Sequence, residues 1–132
     1  MKSDELIGPD LDYYAAMAVG HQPQMTPQGC TIFDSQPAPA DPTSKWISFQ
    51  PSSNWAHGGP IIERERIILE PGGENGGWCA HIWMREAIRW KYIEGPTPLV
   101  AAMRALVFRK FGAEFPNDGV IWQHPNHFSK IE

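Results

Sequence analysis

The placement of proline limits this chain more than any other feature. Proline locks φ and donates no backbone N–H, so it suits a helix start or an extended connection and is excluded from central strands. Of the thirteen prolines, Pro9, Pro60 and Pro98 each open a run with apolar residues, while Pro23, Pro27, Pro37, Pro39 and Pro42 crowd into one stretch. The first group marks helix starts. The second makes residues 21–45 a proline-rich connection rather than an element, with room for a brief strand near Thr31–Phe33. Its Gln36–Pro42 portion reads as an extended, polyproline-like arm.

The runs that remain have clear periods. In Pro9–Val19, Asp10 and Asp12 suit the first turn of a helix, Leu11, Tyr14, Ala15 and Ala18 share one face, and Gly20 is the stop. Trp46–Phe49 fits a short strand. Ser52, Ser53 and Asn54 offer N-caps for a turn beginning at Trp55, with Trp55 plugging the core. Gly58 and Gly59 are expected to break that turn. Pro60 then restarts a helical piece over Ile61–Arg64, giving a broken corner with Ile61 and Ile62 turned inward.

A meander follows. Ile67–Glu70 and Trp78–Met84 read as strands joined by the glycine-rich loop Pro71–Gly77, and Ile88–Ile93 as a third strand. Alternation puts Trp78, Ala80, Ile82 and Met84 on one face of the second strand and Cys79, His81 and Trp83 on the other. On the third strand it separates Ile88, Trp90 and Tyr92 from Arg89 and Lys91. The last helix is Pro98–Phe111, capped by Thr97 and stopped by Gly112, with Leu99, Ala102, Met103, Leu106, Val107 and Lys110 along one face. Residues 113–132 form an irregular tail with room for a strand at Val120–Trp122.

These elements predict one α+β domain over residues 1–132. A three-stranded antiparallel sheet packs with the C-terminal helix, and the N-terminal helix and the broken corner cover its remaining surface. The expected core is Leu11, Tyr14, Trp55, Ile62, Trp78, Ile82, Leu99, Met103 and Leu106. A chain of 132 residues supports one modest core. Its net charge of -4 argues against broad, sequence-blind nucleic-acid binding, although a local basic patch stays open. The two cysteines make no disulfide framework. Without an apolar leader or a membrane-length apolar run, the chain reads as cytoplasmic, with no membrane partner.

Several groups bear on chemistry. Cys79 and His81 share a strand face and are a weak metal pair, because the four-ligand spacing of a structural zinc site is absent. Glu63 and Glu65 resemble an acid–base pair, but they alternate with Arg64 and Arg66, as on a solvated helix end. Cys79 as a nucleophile lacks a base aimed at it. The Pro71–Gly77 loop lies between two strands and lacks the Lys and Ser/Thr of a phosphate loop. Arg85, Arg89 and Lys91, interleaved with Trp83 and Trp90, offer a single-strand nucleic-acid alternative. The corner and the last helix supply two helix N-termini of one polarity, and a binding site there would use Trp55, His57, Gly58, Gly59, Arg64, Glu65, Thr97 and Arg104.

Two long motifs carry a resemblance. Trp-Ala-x-Gly-Gly-Pro-Ile-Ile-Glu-Arg-Glu runs from Trp55 to Glu65 with His57 at the variable position, and Gly-Pro-Thr-Pro-Leu with Ala-Ala-Met-Arg runs from Gly95 to Arg104. With the opening Glu5–Gly20 run, they resemble the NinX-like proteins of lambdoid phages and prophages. The order of elements is also similar to that of small phage proteins built as an α–β–α sandwich. The resemblance implies a phage or prophage lineage and assigns no reaction. The expectation is therefore a non-enzymatic accessory binding module with no cofactor, partnered by a phage or host protein. Single-stranded nucleic-acid binding is the alternative, and a metal-dependent hydrolase stands behind it.

Overall fold

A computed structural model describes residues 3–33, 46–72 and 76–112. The Gln36–Pro42 arm, the middle of the 71–77 loop and the 113–132 tail, including the expected strand at Val120–Trp122, lie outside the described residues. After a short 3-10 turn at Ser3–Glu5 come α1 (Gly8–Ala18), β1 (Gln24–Thr26), β2 (Gly29–Phe33), β3 (Trp46–Ser48), α2 (Trp55–Glu65), β4 (Ile68–Pro71), β5 (Trp78–Met84), β6 (Arg89–Gly95) and α3 (Pro98–Phe111). The class is α+β, with two three-stranded antiparallel sheets, β1-β2-β3 and β4-β5-β6.

The ends of the helices follow their local chemistry. Thr97 caps α3, its hydroxyl accepting from Val100 N–H at 3.1 Å. Gly20, at φ +99, closes α1 with bonds from Gly20 N–H to Met17 O and from His21 N–H to Ala16 O. Arg66, at φ 57, does the same for α2, where Ile67 N–H reaches Ile62 O at 3.1 Å.

Helix α3 occupies the middle of the molecule. Leu99 to Met103 and Ala105 to Val107 are buried, so its apolar surface wraps around the helix instead of forming one stripe. It packs on β5 and β6 on one side and on α1 on another. Its first turn presses so closely on the end of β6 that a side chain at Gly95 would stand 2.7 Å from Ala101 N. On its far side, α1 rests on β1 and β2.

Four expectations need correction. Residues 21–45 are not simply a connection, because the stretch holds β1 and β2, which pair Gln24 with Thr31 and Met25 with Cys30. Pro23 and Pro27 lie just outside the three-residue β1, where no ladder N–H is needed. The corner is not broken, since one helix runs through Pro60. Inside a helix proline crowds the carbonyl four residues back and the N–H and Cβ of the residue before it, and here that residue is Gly59, which removes the Cβ part of the clash. Trp55 is 55% exposed and plugs nothing, because it is the first residue of α2 and the helix buries Gly58 and Ile61 instead. The third strand starts at Arg89, since Ile88, at φ 52, belongs to the turn.

The sheet's second surface is also not covered as expected. With α3 apolar all round, α1 finds its apolar partner on α3, and α2 also packs there. The outer face of β4-β5-β6 therefore carries Ile68, Trp83, Trp90 and Tyr92, all exposed. Of the remaining expected core, Leu11, Tyr14, Ile82, Leu99, Met103 and Leu106 are buried, and Ile62 and Trp78 are partly buried against it.

Candidate functional site

Two regions bear on function: the α2–α3 corner and the outer face of the β4-β5-β6 sheet. The corner brings the starts of both helices together, because Gly58 backs onto Pro51 and Leu99. Its polar groups are engaged internally. Asn54 Oδ1 accepts from Ala56 N–H at 2.8 Å, and Asn54 O takes the N–H groups of His57 and Gly58, each at 2.9 Å. His57 Nδ1 accepts from Gln50 N–H at 2.9 Å, and its ring stacks on Phe49 at 5.5 Å. Asp12, from α1, accepts from Ser52 N–H at 2.8 Å, so the 50–54 loop is pinned by two helices.

The charged residues of the corner act as ties. Glu65 holds Arg64 at 3.0 Å and also bonds Arg109 of α3. Burial raises the Glu65 carboxyl pKa, but the hydrogen bonds and charges of Arg109 and Arg64 outweigh it and leave the pKa below the usual range. Arg104 donates to Leu6 O at 2.8 Å and to Glu94 O at 3.0 Å, joining the N-terminus and β6 to α3. Burial lowers its pKa, against the charges of Asp4 and Glu5. Thr97 is spent on its cap, and Gly59 lies beside Trp55 with open space otherwise.

The outer sheet face follows from the register. Cys79 pairs with Glu70 on β4 and Glu94 on β6, His81 with Ile68 and Tyr92, and Trp83 with Trp90. Side chains of directly paired residues share a face. The rings of Trp83 and Trp90 meet edge-on at 5.5 Å, and His81 lies against Tyr92 at 6.0 Å. Arg89 and Lys91 alternate to the other face, where Lys91 Nζ sits 5.1 Å from the Phe108 ring centre. Arg85 is exposed in the β5–β6 turn.

Sequence reasoning paired Cys79 with His81 and missed Glu70. In the structure His81 Nε2 lies 2.7 Å from Glu70 Oε2, and the ligand atoms of Glu70, Cys79 and His81 all fall within 4.8 Å of one another. The signal was present in the hairpin register, but only the pairing of β4 with β5 sets it. Burial raises the Cys79 thiol pKa, and the carboxylates of Glu70 and Glu94 raise it further. Burial pushes the other thiol, Cys30, up to about 12, aided by Asp12, so it stays protonated and unreactive.

Among protein families, residues 2–110 match the one described as Bacteriophage P22, NinX. The chain belongs to the phage P22 NinX family. The match runs from the N-terminus to the end of α3 and takes in both regions described above. No match was found among curated proteins. Among the described residues of this NinX-family chain, no helix is long and apolar enough to cross a membrane.

Proposed function

We propose that this NinX-family chain is a non-enzymatic accessory module of a phage or prophage that binds a protein partner through the outer face of the β4-β5-β6 sheet. One observation carries this reading. Ile68, Trp83, Ile88, Trp90 and Tyr92 are 38–75% exposed, on one sheet face and its turn. Large apolar side chains gathered on one surface mark interaction sites more often than chance exposure does. Tyr and Trp are the residue types that dominate binding energy at protein interfaces. Ile88 adds to this, since a β-branched residue at φ 52 in water gains nothing for the fold itself. The corner, by contrast, has Asn54, His57, Arg64, Glu65, Thr97 and Arg104 bonded within the chain.

The test is capture from host lysate, with and without infecting phage, using the natural chain, Trp90→Ser/Tyr92→Ser and Arg64→Glu. A protein identified by mass spectrometry, rebinding when purified, held by the natural chain and by Arg64→Glu but lost by the double variant, supports the proposal. Loss with Arg64→Glu alone moves the site to the corner, and self-association abolished by the double variant replaces the partner with a second copy.

A second reading has one observation in its favour. Arg85, exposed in the β5–β6 turn, follows the strand that carries Trp83 of the Trp83–Trp90 pair, while Arg89 stands on the opposite face of β6. Exposed aromatic rings near a cation suit single-stranded nucleic acid. Salt-reversible quenching of Trp fluorescence by an oligonucleotide, lost in Arg85→Ala/Arg89→Ala, would establish it.

A further inference from the structure

We propose that Glu70, Cys79 and His81 form a binding site for a divalent transition metal of the Zn2+ class on the outer face of the β4-β5-β6 sheet. The backbone sets the grouping. Cys79 and His81 are two residues apart on β5 and so point the same way, and Glu70 is the direct partner of Cys79 across the β4–β5 ladder. The resulting donor set is one thiol sulfur, one imidazole nitrogen and one carboxylate oxygen, all within 4.8 Å of one another. A tetrahedral zinc ion holds such donors roughly 3.3–3.6 Å apart, as its bond lengths of about 2.0–2.3 Å require. The 2.7 Å contact between His81 Nε2 and Glu70 Oε2 therefore has to open, and the wider separations, up to 4.8 Å, have to close by about 1 Å, for an ion to be held.

Charge and donor softness point to the same class of ion. A thiolate and a carboxylate together neutralise a divalent cation, and Glu94, paired with Cys79 from the other side, adds a second carboxylate to the same face. Sulfur and imidazole donors select zinc-like metals over magnesium and calcium, which take oxygen ligands. Cys79 is buried, His81 half-buried and Glu70 exposed, so the site has a closed floor and an open side. Three protein ligands leave one position for water or an incoming group. The ring of Tyr92 walls His81 at 6.0 Å. The site does not depend on a protein partner, and its test uses the metal alone.

The experiment is titration of the chelator-stripped full chain with Co2+, followed by optical absorption, and then displacement by Zn2+. The expected result is one equivalent of Co2+ with a thiolate-to-cobalt charge-transfer band. The band should vanish in Cys79→Ser and persist in Cys30→Ser. Glu70→Gln and His81→Ala should each weaken binding by at least about tenfold, since even outer-shell partners of a metal cost that much. At the same concentration, Zn2+ should raise the Tm of the natural chain more than that of Glu70→Gln, a substitution at an exposed position that leaves the fold intact. Absence of the band at saturating Co2+, or its survival in Cys79→Ser, overturns the site. If Cys79→Ser fails to fold, unchanged affinity in Glu70→Gln overturns it equally.

Discussion

Gly58 of α2 lies directly against Leu99 of α3, so that a methyl group on its Cα would stand 2.7 Å from Leu99 Cδ2 and 2.5 Å from the Pro51 carbonyl oxygen. Leu99 can turn aside, but the Pro51 backbone cannot. Gly58→Ala should therefore destabilise the protein by about 1–3 kcal/mol, the usual cost of overpacking. Two residues on, the sign reverses. Pro60 is exposed and withholds one helix hydrogen bond, so Pro60→Ala should stabilise by about 1–2 kcal/mol, the helix gain less the entropy returned to the unfolded chain. Urea denaturation of both variants checks the pair, and equal signs would mean that the helix contact is misdescribed.

Leu106 is 2% exposed in the helix on which α1, α2 and the β4-β5-β6 sheet all pack. Leu106→Ala should cost about 2–5 kcal/mol, measured as a lower urea midpoint with unchanged slope. A cost under 1 kcal/mol, on the order of a surface change, would place α3 outside the core.

Two carboxylates give opposite pH responses. The pKa of Glu65 is below its ordinary 4.5, so its stabilisation is present above that value and is lost as pH falls through the lower folded pKa. Burial raises the pKa of Asp12 above 3.8, against the bonds from Ser52 and the charge of His57. Its contribution is present below that value and lost as pH rises through the raised folded pKa. Urea midpoints from acid to neutral pH should show a weaker loss on acidification in Glu65→Gln and a steeper gain toward neutral pH in Asp12→Asn.

Ile88 is 75% exposed at φ 52, a conformation that costs a non-glycine residue about 1–2 kcal/mol. Ile88→Gly should therefore raise stability by about 1 kcal/mol, while weakening any interaction made by the outer sheet face. Thermal denaturation and the capture experiment read the two effects separately, and a stability loss would show that the turn depends on the isoleucine.

The sequence by itself determined what is decided over a few residues. Thr97 and Pro98 start α3 and Gly112 stops it, because cap and φ are local properties. Alternation alone assigned Cys79, His81 and Trp83 to one face of β5, and Trp90 and Tyr92 to the face opposite Arg89 and Lys91. The phage lineage was legible in two motifs for the same reason. Tertiary structure decided the rest, where residues distant in the chain compete for one space. The β1-β2-β3 sheet depends on pairing across the 34–45 stretch, which no local signal reports. Pro60 stays inside a helix because Gly59 relieves its crowding while Ile61 and Gly58 are held against the core. Trp55 is exposed because α2 turns Gly58 and Ile61 to the core instead, and α3 is central because its apolar surface goes all the way round. Glu70 joins Cys79 and His81 only through the register of β4 on β5, and register is set by the burial of a whole face rather than by any single residue.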